Sequence, residues 1–334
     1  MHTTARAIAP IVMSCLAHAA TVLPGDLLLS TPQDALRAIA LGTTYVPVSA
    51  AVLTDVRDVV AERTGTAALA LARPSPPNYA LVRAPFVGGS ANILASGGPL
   101  NSPFGPSALV EAPNGDIYVA VIDVAPKSRI VRIKSGTWGV TAISSGNALF
   151  DPRGLAWEPS GTLLVANGVA GSLLRVNPST GSQTLLAPAA SLQSALDVTV
   201  TPSGTIYALD GAARRIYRVH PTSGALTQIS EGGLLRAPTS LAVGLYGSLY
   251  VGDLAAPTQS EPSRAMVVRI SPSTGSQELV TVFPTVYAPP QVSVVPPRAN
   301  PCPADITADG RVDFLDLGRV LTDFGATCPE APLP

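Results

Sequence analysis

Charge is scarce in this chain: 13% of its 334 residues are Asp, Glu, Lys or Arg, and the formal net charge is −1. No basic run exists that would track phosphates or anionic lipid, so nucleic acid is not an expected partner. Histidine is nearly missing, with only His2, His18 and His220. This counts against lyases that rely on a histidine base. Aromatic residues make up 5% of the chain, too few to lay out a carbohydrate-binding stripe, and Trp138 and Trp157 read as packing residues. No serine or cysteine stands near a base in a recognisable motif, and no glycine loop has the form that cradles phosphate.

Glycine and proline, by contrast, are abundant, at 29 and 33 residues. Helices are therefore expected to be few and turns dense. Six times a short apolar run follows a Gly-polar turn: at Gly25, Gly65, Gly115, Gly161, Gly204 and Gly247. The steps are 40, 50, 46, 43 and 43 residues, the period of propeller blades in a β-rich chain. The block from Asp151 shows the order within one repeat: PRGLAWEPSG, GTLLVANG, SLLRVNPSTG, SQTLLAP. Each piece is one short strand, so four strands make one blade. Pro-Ser-Gly and Pro-Ser-Thr-Gly turns fix φ at their start and permit positive φ at their end, as tight antiparallel connections require. Ile206, Leu209, Ile216 and Val219 alternate as residues that fill the space between sheets.

The reading is an all-β, six-bladed propeller over residues 20–296. The first strand of the Gly25 blade would fall inside the N-terminal segment and be lost. The stretch Ala288 to Pro296 repeats the first-strand pattern of Ala237 to Val243 and is expected to insert beside the Gly25 strand, leaving no open edge.

These blocks resemble the NHL and SMP-30-like propeller families. The likeness rests on Pro152, Gly154, Leu155 and Ala156; on Gly204, Thr205, Ile206 and Tyr207; and on Arg215, Ile216, Arg218 and Val219. It is good over residues 104–283 and loose over 25–103. In SMP-30-like lactonases a Glu, an Asn and an Asp from separate blades hold one divalent cation. The resemblance makes Asn167, Asp210 and Asp253 the nearest counterparts around the axis, with no Glu at a matching place. Asp58, Asp123, Asp151 and Asp197 are further candidates to face the channel, and a turn-forming or strand-capping role is the alternative for all seven.

Both ends of the chain differ from the repeats. Arg6, the apolar stretch from Ala7 to Leu16 and Ala17-His18-Ala19 read as an export signal over residues 1–19, too short to span a bilayer; a first buried strand is the alternative. Its removal leaves Cys302 and Cys328, expected to be joined in an oxidising compartment. After a Pro-rich linker, 297–301, residues 302–334 form an acidic module. Asp305, Thr307, Asp309, Asp313 and Asp316 put oxygens at loop positions 1, 3, 5, 9 and 12, with Gly310 at the sharp turn and the carbonyl of Arg311 at position 7. That spacing suits calcium. Asp305 to Phe324 resembles one half of a dockerin, whose full form carries two. Leu317, Val320, Leu321 and Phe324 recur at helical spacing and need a covering surface. Two functional readings follow. One is a secreted, non-catalytic binding or scaffold protein attached through its calcium-loaded tail to an extracellular or cell-surface partner. The alternative is a metal-dependent, lactonase-like hydrolase with an axial cation.

Overall fold

The computed structural model describes residues 27–31, 34–39, 45–47, 55–75, 77–86, 90–124, 127–255, 264–283 and 290–295. The expected export signal, the linker, the calcium loop and both cysteines of the acidic module lie outside the described residues. Apart from one 3-10 turn, Gly98–Leu100, every regular element described is a strand.

Four-stranded antiparallel sheets repeat along the chain as blades. One blade comprises β4 (Asp58–Ala61), β5 (Ala67–Ser75), β6 (Asn78–Pro85) and β7 (Asn92–Ser96), and the next β8 (Pro106–Glu111), β9 (Ile117–Val121), β10 (Arg129–Ile133) and β11 (Val140–Ser145). A third holds β12 (Pro152–Trp157), β13 (Leu163–Asn167), β14 (Ser172–Val176) and β15 (Gln183–Ala187). Then come β16 (Ala195–Val200), β17 (Ile206–Asp210), β18 (Arg215–Val219) and β19 (Leu226–Glu231), and after them β20 (Pro238–Val243), β21 (Leu249–Ala255), β22 (Arg264–Ile270) and β23 (Gln277–Phe283). These five blades are each cut from one continuous stretch. A further four-stranded sheet is stitched from both ends: β24 (Gln291–Val294) lies beside β1 (Leu27–Thr31), followed by β2 (Asp34–Ile39) and β3 (Tyr45–Pro47). Leu27 pairs with Val294 and Ser30 with Gln291, antiparallel. The C-terminal segment thus occupies the first-strand place beside the strand that follows Gly25.

Second strands such as β9, β13 and β17 are buried at every position, because a central strand of a blade is covered on both faces. Tyr118, Ala120 and Ile130 of one blade interdigitate with Leu155, Leu163, Val165 and Leu174 of the next. Trp157 packs on Tyr118 with ring centroids 5.4 Å apart, and Trp138 packs against a neighbouring apolar cluster. Each such fully buried aliphatic side chain contributes about 1.5–3 kcal/mol relative to exposure. The stitched sheet packs on both neighbours, through Leu28 and Val295 against Val59 and Ala70, and through Leu27, Leu29 and Val292 against Ala242 and Tyr250.

Polar side chains tie successive first strands together around the axis. The Leu109 amide donates to Asp58 Oδ2 at 2.7 Å, and Ser107 Oγ donates to the Pro152 carbonyl at 2.5 Å. Gly154 lies so close to β16 that a Cβ there would come within 2.6 Å of Asp197 Cα. The Leu241 amide donates to Asp197 Oδ2 at 2.7 Å, Ser240 Oγ donates to the Pro290 carbonyl at 2.8 Å, and the Ala61 amide donates to Ser293 Oγ at 3.3 Å. That last bond returns to the strand where the circuit began.

The outer rim has its own staple. In the Pro-Ser-Thr-Gly turns, Gly181 and Gly275 have φ of +72° and sit against the Ile143 and Ile229 carbonyls of the preceding blade. Gln183 and Gln277, two residues on, bond back to Ser144 and Ser230.

Candidate binding funnel

All first strands run in the same sense along the axis. Their beginnings line a funnel of about 840 Å³ and their later residues line a narrower channel of about 280 Å³ below it. Because β24 runs down the channel and β1 starts beside its end, Leu27 and Val294 both lie at the mouth away from the funnel. Among the described residues, the funnel is lined by the starts of the first strands and by the loops beside them.

Four large apolar side chains stand open at that mouth: Phe104, Val124, Phe150 and Val169, between 52% and 81% exposed. They come from the blades of β8–β11 and β12–β15 and form a crescent on one side of the funnel. Local chemistry holds them there. Arg129 bonds the carbonyls of Pro99 and Asn101 at 2.8 and 2.6 Å, and Ser102 Oγ accepts from the Gly105 amide at 2.8 Å, which fixes the loop carrying Phe104. Phe150 and Asp151 are held by Asn167, whose Oδ1 accepts from both their amides at 3.2 and 2.9 Å. Asn167 Nδ2 donates to the Ala148 carbonyl at 2.7 Å.

The charges of the rim are internally paired. Arg57 meets Asp55 at 2.7 Å, Arg153 meets Asp151 at 2.8 Å and Arg129 meets Asp123 at 2.7 Å. At the floor stand Asp58 and Asp197, which line both the funnel and the channel. Each accepts two backbone amides, Asp58 from Val59 and Leu109, Asp197 from Val198 and Leu241. Burial outweighs those bonds: it pushes the Asp58 carboxyl up to about 7 and, joined by the nearby Asp58 charge, raises Asp197 well above the usual carboxylate value.

The residues expected at the axis divide into two groups. Asp58, Asp123, Asp151 and Asp197 do line the funnel. Asn167, Asp210 and Asp253 do not; they stand on the second strands, one layer outward, opposite Pro152, Ala195 and Pro238, at the ends of β13 and β17 and two residues before the end of β21. Asp210 accepts from the Gln193 and Ser194 amides at 2.7 and 3.0 Å, and Asp253 from the Arg236 and Ala237 amides at 2.8 and 3.1 Å. In these three blades a short carboxylate or amide fixes the loop that leads into the first strand. Among the described residues, no group of three or more His, Cys, Asp and Glu is placed to hold a metal. The only described histidine, His220, accepts from the Thr222 and Ser223 amides in an exposed outer turn. No helix among the described residues is long and apolar enough to cross a membrane. What the sequence reading missed was the apolar crescent; its signal was a large apolar residue in the loops just before β8 and β12 and just after β9 and β13.

Four-stranded antiparallel blades, stacked face to face around an axial channel with a funnel at one end, define a β-propeller. Residues 109–291 match the family described as a repeat of unknown function, DUF6923, and the chain belongs to that family. No curated protein sequence matches it. Among solved structures, one titled as a nidogen/laminin complex is similar, with a TM-score of 0.61 and 14% identity over 81% of this chain and 98% of that one. A catalytically inactive histidine-to-alanine variant of virginiamycin B lyase from Staphylococcus aureus with quinupristin gives a TM-score of 0.55 and 15% identity over 79% of this chain and 85% of that one. A protein of unknown function from Bacteroides caccae gives 0.59 and 12%, over 81% and 99%. At such identities the likeness concerns the fold.

Proposed function

We propose that the chain is a secreted, non-catalytic binding protein. It is a six-bladed ring that presents the funnel to its ligand and is attached to its partner through the acidic tail. The polarity of the ring carries this reading: the start of β1 at Leu27 and the end of β24 at Val294 lie at one mouth, and the open apolar funnel lies at the other. Pockets that bind are mostly apolar with a few convergent polar groups, and large exposed apolar patches mark interaction surfaces. In this reading residues 1–19 are an export signal and Cys302 pairs with Cys328. Asp305, Thr307, Asp309, Asp313 and Asp316, with the Arg311 carbonyl, bind calcium as a dockerin-like half, so that the partner is an extracellular or cell-surface protein.

The test is calorimetric titration of calcium into the full chain beside Asp305→Ala, together with turnover assays on lactones and esters with and without divalent cations. Calcium binding that disappears in the variant, with no turnover, supports the reading. Cation-dependent hydrolysis would transfer the protein to the hydrolase class.

A further inference from the structure

The funnel has four properties that together describe its occupant. Its volume, about 840 Å³, lies within the roughly 300–1,000 Å³ typical of small-molecule sites. Its exposed large apolar side chains, Phe104, Val124, Phe150 and Val169, are gathered on one wall, while the other blades contribute Thr239 and Gln291 with the less exposed Val56 and Leu196. A flat body lying on one wall matches that asymmetry better than a plug of circular section. Among the described residues of the rim, Arg57, Arg129 and Arg153 are each paired with a neighbouring carboxylate, which disfavours an ionic occupant. At the narrow end, Asp58 and Asp197 are the two residues shared by the linings of funnel and channel among the described residues. They come from blades separated by two others on either side of the ring, so they bound the opening from opposite directions.

Building on the binding role proposed above, we propose that the funnel takes an uncharged small molecule with a flat aromatic body and a leading hydrogen-bond acceptor. The body lies on the apolar crescent, and the acceptor meets the Asp58 and Asp197 carboxyls at the floor. A carboxyl holding its proton donates to a carbonyl, whereas an ionised pair repels it. Burial raises both carboxyls above the ordinary carboxylate value, Asp58 to about 7, so their protonated forms gain as pH falls. The charged groups around them are Arg57 on the approach to β4, Arg153 and Asp151 at β12, Asp123 beyond β9, and Arg63 and Glu111 lower in the channel.

The probe is 6-propionyl-2-(dimethylamino)naphthalene, a neutral aromatic ketone, titrated by fluorescence into the full chain. Its anionic counterpart is 1-anilinonaphthalene-8-sulfonate. The expected result is saturable binding at one site at pH 6. Phe104→Ser with Phe150→Ser should weaken it about tenfold or more, and the sulfonate should bind more weakly by a similar factor. Between pH 6 and pH 9 wild-type affinity is expected to fall about tenfold, while Asp58→Asn with Asp197→Asn, which keeps neutral amide donors, stays level. The wild-type pH profile and the phenylalanine variants decide the matter even where the double Asn variant fails to fold. Absence of saturable binding, indifference to the two phenylalanines, preference for the sulfonate or a flat wild-type profile would each overturn the proposal. None of these would touch the calcium titration or the turnover assays, so the wider binding role fails or survives separately.

Discussion

The two mouths of the channel are built from the same repeat yet are chemically unlike. At the funnel mouth the loops run into the first strands, and two of them end in exposed phenylalanines, Phe104 and Phe150. At the far mouth the lining turns polar, with Arg63, Glu111, Thr199 and Ser293, and there the Arg63 amide donates to Glu111 Oε2 at 2.7 Å. The far mouth spends its side chains on itself, and the funnel mouth leaves apolar surface unspent. A surface selected only for solubility would not keep that crescent.

The largest effect should come from breaking the join that gives the ring its polarity. Deleting residues 290–295 removes one of the two strands paired with β1 and exposes Leu27, Leu28 and Leu29, which are at most 2% accessible. Thermal unfolding should fall by about 10 °C or more or lose its single transition; a truncation that melts as the parent does would refute the closure.

A smaller loss is expected at the outer staples, where a glycine is needed for space as well as for φ. Gly181→Ala would put a Cβ 2.0 Å from the Ile143 carbonyl oxygen, whereas Gly161, also at positive φ, has nothing within 4 Å. Denaturant titration should show a cost of about 2–4 kcal/mol for the first and about 1 kcal/mol for the second. Equal costs would mean that contact between blades contributes nothing there.

The floor acids give a pH signature that the far mouth lacks in this strength. Asp58 in the folded protein sits near 7 against an ordinary 3.8, so between those values the folded chain holds a proton that the unfolded chain releases. Its contribution is complete below about pH 4 and is lost as pH rises through about 7. Wild-type melting temperature should therefore decline from pH 5 to pH 8, while Asp58→Asn, less stable at pH 5 because its amide nitrogen cannot accept a second backbone bond, should change little. Parallel profiles would contradict this assignment. The smallest effect is expected at the crescent itself: Phe150→Ser, on an exposed side chain, should shift stability by no more than about 0.5 kcal/mol. A large shift would show that Phe150 holds the fold together rather than facing a ligand.

The blades were legible in the chain because their signals are local: a Gly-polar turn, a run of alternating apolar residues, a Pro-Ser-Thr-Gly connection. The join of β24 to β1 was legible for the same reason, since the stretch around Val292 repeats the first-strand pattern. The site was less so. Asn167, Asp210 and Asp253 attract notice because they recur, but they recur as loop anchors, and position within a blade decides whether a carboxylate faces the axis. Asp58 and Asp197 reach it from first strands, where the sequence alone does not distinguish a side chain facing the axis from one that caps a turn. The crescent was missed because Phe104 and Val169 are 65 positions apart and meet only once the blades have stacked.

Amide hydrogen exchange on the full chain, read by mass spectrometry, tests the closure most directly, since closure is what puts Leu27 and Val294 at the mouth opposite the funnel. Leu27 to Ser30 and Gln291 to Val294 should be protected as long as the buried strand β13 is. Exchange of those two segments at the rate of open loops, with β13 still protected, would contradict the account.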